Sequence, residues 1–275
     1  LKTPGIGRAG VWVFDPAALG DAARGEPVAV LSLFGDSPRA LAVTPDGERV
    51  YAAVFKSGNR TTTVSAYAVC QGGADAPPCE RDGKEMPGGL PPPNVNIEGV
   101  EQPHTGLIVR YDPTRNAWLD ELERDWSNAL PISLPDQDVF EIDALSDPPR
   151  QVRAYAGVGT VLYNLAVHPH TGRVYATNTE ARNEVRFEAA VRGHQHVSRI
   201  SILEAGVVTV RPLNPHIDYA VVASPPGVAE RSLALPLGMT FDPAGERMFV
   251  AAFGSGVVGV LDVAALDSGS LVPGE

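Results

Sequence analysis

Short apolar stretches alternate with polar turns along most of this 275-residue chain. Within several stretches apolar residues occupy every second position, as in Leu41 and Val43 or Leu165 and Val167. A period of two is typical of β-strands with one buried face, because successive side chains point to opposite faces. The pattern therefore predicts an all-β protein.

Three segments repeat one pattern without gaps, at residues 41–52, 165–176 and 239–250. Each begins with alternating apolar residues, passes through a proline and a glycine, and resumes with an apolar stretch that contains an aromatic residue. Proline fixes φ at the start of a turn and glycine supplies a positive φ. Each segment therefore predicts a strand–turn–strand hairpin.

Two further strand types recur around these hairpins. The strand that follows a hairpin has related sequences at 11–19, 258–266, 139–145, 64–67 and 200–203. An apolar strand also precedes each hairpin, at 28–34, 152–155 and 219–222. One unit thus has four strands in about 45 to 49 residues, the length of a β-propeller blade.

The repeats lie too far apart in sequence to be contiguous, so the blades carry insertions. The large insertion covers 70–137 and contains an extra hairpin of 107–111 with 117–119; smaller insertions cover 180–197 and 211–215. About three full units can be counted, whereas closed rings have about four to eight blades. We therefore expect residues 1–275 to form one incomplete propeller ring. Either the chain is part of a longer protein, which we favour, or some blades have diverged.

The segment 35–51 reads Gly-Asp-Ser-Pro-Arg-Ala-Leu-Ala-Val-Thr-Pro-Asp-Gly-Glu-Arg-Val-Tyr. It resembles the YVTN-type bacterial β-propeller repeat, which runs from a Gly-x-x-Pro entry through a Pro-Asp-Gly turn to a Val-Tyr-Val strand. The third unit departs from that pattern with Met248-Phe249-Val250. The resemblance implies four-stranded blades and, because the repeat is structural, no particular activity.

Residues 157–188 show a narrower similarity, to exported bacterial propeller proteins whose chains sometimes continue into cytochrome c-type domains. This similarity implies at most a neighbour with redox chemistry, for which a c-type cytochrome is one candidate partner. The chain has no Cys-x-x-Cys-His, so it contains no c-type haem attachment site.

Charge and hydropathy narrow the classes of partner. The formal net charge is −11, and an acidic chain repels phosphate backbones, so nucleic acid is not an expected partner. No uninterrupted apolar run approaches roughly eighteen residues, so no transmembrane segment is expected.

Cys70 and Cys79 lie in a stretch rich in proline and glycine. We favour a surface-loop disulfide, which would imply an oxidising compartment and hence a periplasmic or extracellular location in a bacterium. The alternative is two unpaired thiols, and a zinc site would need more ligands nearby than the sequence supplies.

A metal site is considered at three histidines. His194 and His196 are two residues apart, so on a strand both would face the same side, and His216 could supply a third ligand for zinc or copper. The alternative is that they are hydrogen-bonding loop histidines. A calcium ion is also considered, but the Asp46-Gly47 and Asp82-Gly83 turns lack the regular spacing that calcium loops need.

Charges alternate from residue 180 to 188. Two arginines there could meet an anionic ligand or a partner's carboxylates, or the charges could pair with one another along an exposed face. The candidate binding residues are Glu180, Arg182, Asn183, Glu184 and Arg186.

Three functions are compatible with these features, and the sequence indicates no catalytic residue. The favoured one is an exported propeller that acts as a binding or scaffold module in the bacterial envelope or extracellular space. The second is a redox-associated module that binds a metal or docks a c-type cytochrome. The third is a metal-dependent, lactonase-like hydrolase. The expected partner is a protein, either such a cytochrome or further blades of the same protein.

Overall fold

The computed structural model describes residues 9–95, 99–102, 106–130, 136–183, 194–219, 221 and 223–272. Antiparallel strands make up most of its regular structure. Along the chain these are β1 (Ala9–Val13), β2 (Ala29–Leu33), β3 (Pro38–Val43), β4 (Arg49–Val54), β5 (Thr61–Val64), β6 (Cys79–Arg81), β7 (Lys84–Met86), β8 (Leu107–Asp112), β9 (Ala117–Leu119), β10 (Val139–Asp143), β11 (Arg150–Tyr155), β12 (Val161–Val167), β13 (Val174–Ala181), β14 (His196–Glu204), β15 (Val207–Pro212), β16 (Pro236–Phe241), β17 (Arg247–Ala252) and β18 (Val257–Asp262).

The helical content of the described ranges is small. Two single 3-10 turns cover Ser127–Ala129 and Ala229–Arg231. One α-helix, α1 (Val263–Ser268), follows β18, and its first turn is capped by Asp262, which accepts a hydrogen bond from the Ala265 amide. None of these helices is long or apolar enough to cross a bilayer.

Four sheets follow one another along the chain. The first pairs β1 with β2, and the second has the spatial order β11-β10-β4-β3. The third runs β12-β13-β14-β15, and the fourth runs β16-β17-β18. Each sheet from the second onward begins with one of the repeated hairpins. The proline–glycine turns therefore connect the strands that the sequence pattern predicts.

Consecutive sheets pack face to face and share an apolar core. Because side chains alternate along a strand, Tyr51 and Ala53 on β4 pack against the third sheet, whereas Ala52 and Val54 pack against the first. The same division occurs on β13, where Val174 faces the second sheet and Tyr175 faces the fourth. The central strands are thus buried on both faces.

The first strands of consecutive sheets also contact each other, β3 with β12 and β12 with β16. Small antiparallel sheets that stack face to face, with their first strands adjacent, are the arrangement of β-propeller blades. The predicted fold class is therefore confirmed: the described sheets form an arc of propeller blades, two of them four-stranded.

Two predicted strand positions are wrong. Residues 64–67 do not follow β4 in its sheet, because β5 pairs with β8, and β10 takes the place beside β4. The reason is burial: β10 is buried on both faces through Val139 and Phe140, whereas Ser65 and Tyr67 are exposed. At 219–222, Tyr219 lies in a turn and Val221 in a bend, with the other two residues outside the described ranges.

The strand that precedes a repeated hairpin in the sequence forms the outer edge of the preceding sheet. β11 comes just before the hairpin of β12 and β13, yet it pairs with β10 in the second sheet. In the third sheet this outer position is filled by β15, whose last residues overlap the expected insertion at 211–215.

The second sheet is interrupted between β4 and β10. Residues 55–138, here called the insertion, leave this sheet after Val54 and return at Val139, which pairs with Ala53. The sequence-based bounds of 70–137 fall inside this interval. The insertion has its own sheet, β5-β8-β9, a hairpin of β6 and β7, and a core that includes Trp118 and Trp126.

The predicted disulfide between Cys70 and Cys79 is confirmed, with a Cα–Cα distance of 5.9 Å. It joins the segment after β5 to the first residue of β6. The insertion is therefore cross-linked next to its apolar core, to which both cysteines contribute.

Candidate ligand-binding cleft

The entering stem of the insertion, residues 55–60, is bound to the edge of the third sheet. The amides of Ser57 and Gly58 both donate to the carbonyl of Thr160, at 3.1 and 3.0 Å. Asn59 Nδ2 donates to the carbonyl of Ala181, the last residue of β13, at 3.2 Å. These bonds hold the insertion above the junction of the second and third sheets.

A cleft of about 750 Å³ lies between the insertion and this junction. Residues 108, 110–113, 119–121 and 123 form the insertion wall, and the sheet wall includes residues 156, 157, 159, 180 and 199. A cleft of this size is in the range of small-ligand sites, about 300–1,000 Å³. Six carboxylates line it: Asp112, Asp120, Glu121, Glu123, Asp136 and Glu180.

Three guanidinium groups also line the cleft, those of Arg60, Arg110 and Arg199. Arg199 is the most constrained, with only 13% of its side chain exposed. Its Nη2 donates to Glu180 Oε2 at 2.7 Å and to the Val158 carbonyl at 3.0 Å, and its Nε donates to Asn178 Oδ1 at 2.7 Å. Burial lowers the pKa of Arg199, and the nearby charge of Glu180 opposes this effect.

Two carboxyl groups lie on the returning stem, residues 136–138, just before β10. Asp136 Oδ2 accepts from the Gly157 amide at 3.0 Å and lies 3.3 Å from Arg60 Nε. Asp138 is fully buried; it accepts from the Ser57 hydroxyl and, at 2.6 Å, from the Val158 amide. Burial raises the pKa of Asp138 well above its usual range, and the charge of Asp136 adds to this effect.

The three candidate metal ligands lie in different surroundings. The His194 ring stacks on Tyr219 with centroids 3.4 Å apart, and its Nδ1 lies 2.6 Å from Arg182 Nη1. His196 is exposed at the start of β14. His216 Nε2 lies 3.1 Å from Ser232 Oγ and 3.2 Å from the Val228 carbonyl.

Within the described ranges, no three His, Cys, Asp or Glu side chains come close enough to hold a metal ion. His194, His196 and His216 are all described, so the structure does not bring them together. The contacts of His194 and His216 are stacking and hydrogen-bonding contacts.

The charged segment at 180–188 is only partly described. Glu180 pairs with Arg199, Arg182 approaches His194, and Asn183 Oδ1 accepts from Asn59 Nδ2 at 2.6 Å. Glu184 and Arg186 lie outside the described residues. Of the predicted binding residues, Glu180 therefore lines the cleft, and Asn183 contacts the stem that bounds it.

Sequence reasoning missed Asp136, Asp138, Arg60 and Arg199 as parts of one site. The pattern Asp136-Gln137-Asp138 just before an apolar strand was the available signal, since acidic residues two apart face the same side of an extended segment. What the pattern could not show is that Asp138 is buried by loops distant in sequence.

The stacked sheets place the chain in the class of β-propeller proteins. No family model matches the chain, and no curated protein matches it. The likeness to the YVTN-type repeat therefore remains a resemblance.

Several solved structures resemble the chain. Hydrazine synthase of Kuenenia stuttgartiensis is 17% identical, with 90% of this chain and 72% of that chain covered and a TM-score of 0.35. A 6-phosphogluconolactonase-like protein of Bacteroides uniformis is 13% identical, with 90% and 59% covered and a TM-score of 0.33. A similar protein of Bacteroides fragilis is 11% identical, with 94% and 62% covered and a TM-score of 0.33. The chain thus spans less than two thirds of each Bacteroides chain. Similarities with such low TM-scores indicate nothing about substrate or reaction.

Proposed function

We propose that this chain is an exported propeller module that binds a positively charged peptide segment of a partner protein in the cleft under the insertion. The observation that carries the proposal is the acidic lining of the cleft, six carboxylates against three guanidinium groups. Arg60 pairs with Asp136 and Arg199 with Glu180. The Asp120 side chain is fully buried and pairs with Arg124. The excess charge therefore comes from the other three carboxylates, those of Asp112, Glu121 and Glu123.

The insertion wall offers most of the accessible charge. Glu121 and Glu123 are exposed, and Asp112 is half-buried beside them. Arg115 offsets part of this charge, since it pairs with Asp112 and Glu123. With a net charge of −11, the whole chain adds a negative potential that would attract cationic segments and speed their association.

Export is supported by the disulfide of Cys70 and Cys79, because such bonds persist in oxidising compartments. A periplasmic or extracellular location remains our proposal on that basis. The metal-binding forms of the redox-associated and lactonase-like alternatives would need a set of metal ligands, and no group of three is found among the described residues.

Exposed apolar side chains at both ends of the arc support a second proposed partner, further blades of the same protein. Leu41 on β3 is 60% exposed, whereas Leu165 at the same repeat position on β12 is 5% exposed. Val258 on β18 is 64% exposed, whereas the matching Ile200 on β14 is fully buried against the fourth sheet. Additional blades would cover these faces as the inner sheets cover one another.

A peptide-binding experiment tests the cleft. We expect a lysine- and arginine-rich peptide to bind with an affinity that falls as salt rises, and a matched acidic peptide not to bind. The double variant Glu121→Gln/Glu123→Gln should weaken binding by about threefold to tenfold, because each exposed charge pair contributes up to about 1 kcal/mol. Isothermal titration calorimetry would measure both effects.

The matched control is Glu230→Gln/Glu246→Gln, which removes the same charge from exposed positions outside the cleft. Equal weakening by both double variants would show that net charge alone drives binding. Equal binding of the acidic peptide would contradict the proposal.

A further inference from the structure

The entering and returning stems of the insertion meet at two buried carboxyl groups. Asp138 is fully buried, and only 7% of the Asp136 side chain is exposed. The Oδ2 atom of Asp136 is bound by the Gly157 amide and Arg60. Its Oδ1 atom is buried and accepts no hydrogen bond from any described residue.

A buried oxygen of Asp136 without a hydrogen bond is energetically costly, and Asp138 is the neighbouring side chain that could donate to it. Both of its own oxygens already accept hydrogen bonds, one from the Ser57 hydroxyl and one from the Val158 amide. The Gly157 and Val158 amides that bind Asp136 and Asp138 belong to adjacent residues, so the two carboxyl groups lie side by side. Two ionised carboxylates in such neighbouring positions repel each other, and a single proton between them would satisfy the orphan oxygen.

We propose that Asp136 and Asp138 share one proton, and that this proton is a pH-sensitive latch that holds both stems of the insertion on the loop before β12. When the proton leaves, two buried negative charges face each other, and the stems separate from the third sheet. The latch does not depend on the peptide-binding role of the cleft, since it involves only the chain and a proton.

The surroundings indicate which carboxyl group keeps the proton. Asp136 is the carboxyl group that faces a cation, Arg60 of the entering stem. Asp138 has no such ion pair in the described structure, and burial favours its neutral form, although the Ser57 and Val158 donors act in the opposite direction. The other charged groups packed around the pair are Arg199 of β14, whose charge reaches Asp138, and Glu180 of β13, which pairs with Arg199.

The direction of the pH effect follows from the raised pKa of Asp138 in the folded state. Stability from the bound proton is fully present below the pKa of an unfolded aspartate, about 4. It is lost progressively as the pH rises through the higher pKa of the folded state. Docking of the insertion should therefore weaken with rising pH.

The carboxyl carbon of Asp138 can be followed by ¹³C NMR in the full chain, with its signal assigned from its loss in Asp138→Asn. We expect it to titrate well above pH 4. A midpoint near the ordinary value would overturn the proposal, whatever the outcome of the peptide experiments.

Hydrogen exchange tests the mechanical consequence. The amides of Ser57 and Gly58 report on docking because both bind the Thr160 carbonyl. Between the pKa of an unfolded aspartate, about 4, and the higher folded-state pKa, we expect their protection in the wild type, relative to D138N, to fall by up to about tenfold per pH unit, and to level off above the folded-state pKa. D138N keeps a neutral side chain that can donate to Asp136, so the protection of these two amides in this variant should not change over the same pH range. Parallel loss of protection in both proteins would contradict the latch.

Discussion

Replacing Tyr175 with alanine is expected to destabilise the protein by about 3–5 kcal/mol, because the change leaves a large cavity between two sheets. Tyr175 is fully buried on β13 and packs in the core between the third and fourth sheets. Its ring meets Phe241 edge-on with centroids 5.1 Å apart, and its hydroxyl donates to Asp267 Oδ1 at 2.6 Å. Urea denaturation followed by circular dichroism would measure the loss.

The variant Tyr175→Phe separates packing from hydrogen bonding. It keeps the ring and removes only the hydroxyl, which donates to a carboxylate, so its cost should be about 1.5–3 kcal/mol and smaller than that of alanine. Arg173 remains paired with Asp267 in this variant. If alanine and phenylalanine cost the same, or if alanine costs less than about 1 kcal/mol, the third and fourth sheets do not share the core described above.

The second large effect is expected at Arg199. Arg199→Ala should cost about 2–4 kcal/mol, because it leaves Glu180 without its ion pair and removes a donor from each of two further acceptors. These acceptors are the Asn178 side chain and the Val158 carbonyl. The free energy of unfolding in urea would give the magnitude.

Two variants make the Arg199 prediction specific. Arg199→Lys keeps the charge but loses the planar fork that reaches three acceptors at once, so it should be intermediate in stability. Arg199→Ala combined with Glu180→Ala should recover part of the loss, because no carboxylate is then left unpaired. A double variant that is simply the sum of the single ones would show that the two side chains do not interact.

The sequence predicted the repeated hairpins because their signals are local. Alternation at Leu41 and Val43, followed by the turn of Asp46 and Gly47, needs no information from elsewhere in the chain. The choice of partner for β4 was not local. Residues 64–67 and 139–143 both resemble a following strand, and the second was selected because its side chains fill two inter-sheet cores.

The candidate site was predictable only in part, for a similar reason. The charges from 180 onward were visible, and Glu180 does line the cleft. The acid at Asp138 gave little signal, since its character comes from Ser57 and Val158, which lie far from it in the sequence. The histidines suggested a metal from spacing alone, but spacing does not fix which loops approach one another.

The central claim is that the second blade is interrupted between β4 and β10, and that the insertion leaves and returns at that point. Arg49 and Asp143 are cross-strand partners at the far end of this pairing, with their side chains 2.9 Å apart. Cysteines at both positions, mapped by mass spectrometry after mild oxidation, should form a disulfide in high yield. A cysteine at position 49 with one at 67 should not. Cross-linking of 49 to 67 without 49 to 143 would contradict the account, because it would place residues 64–67 beside β4.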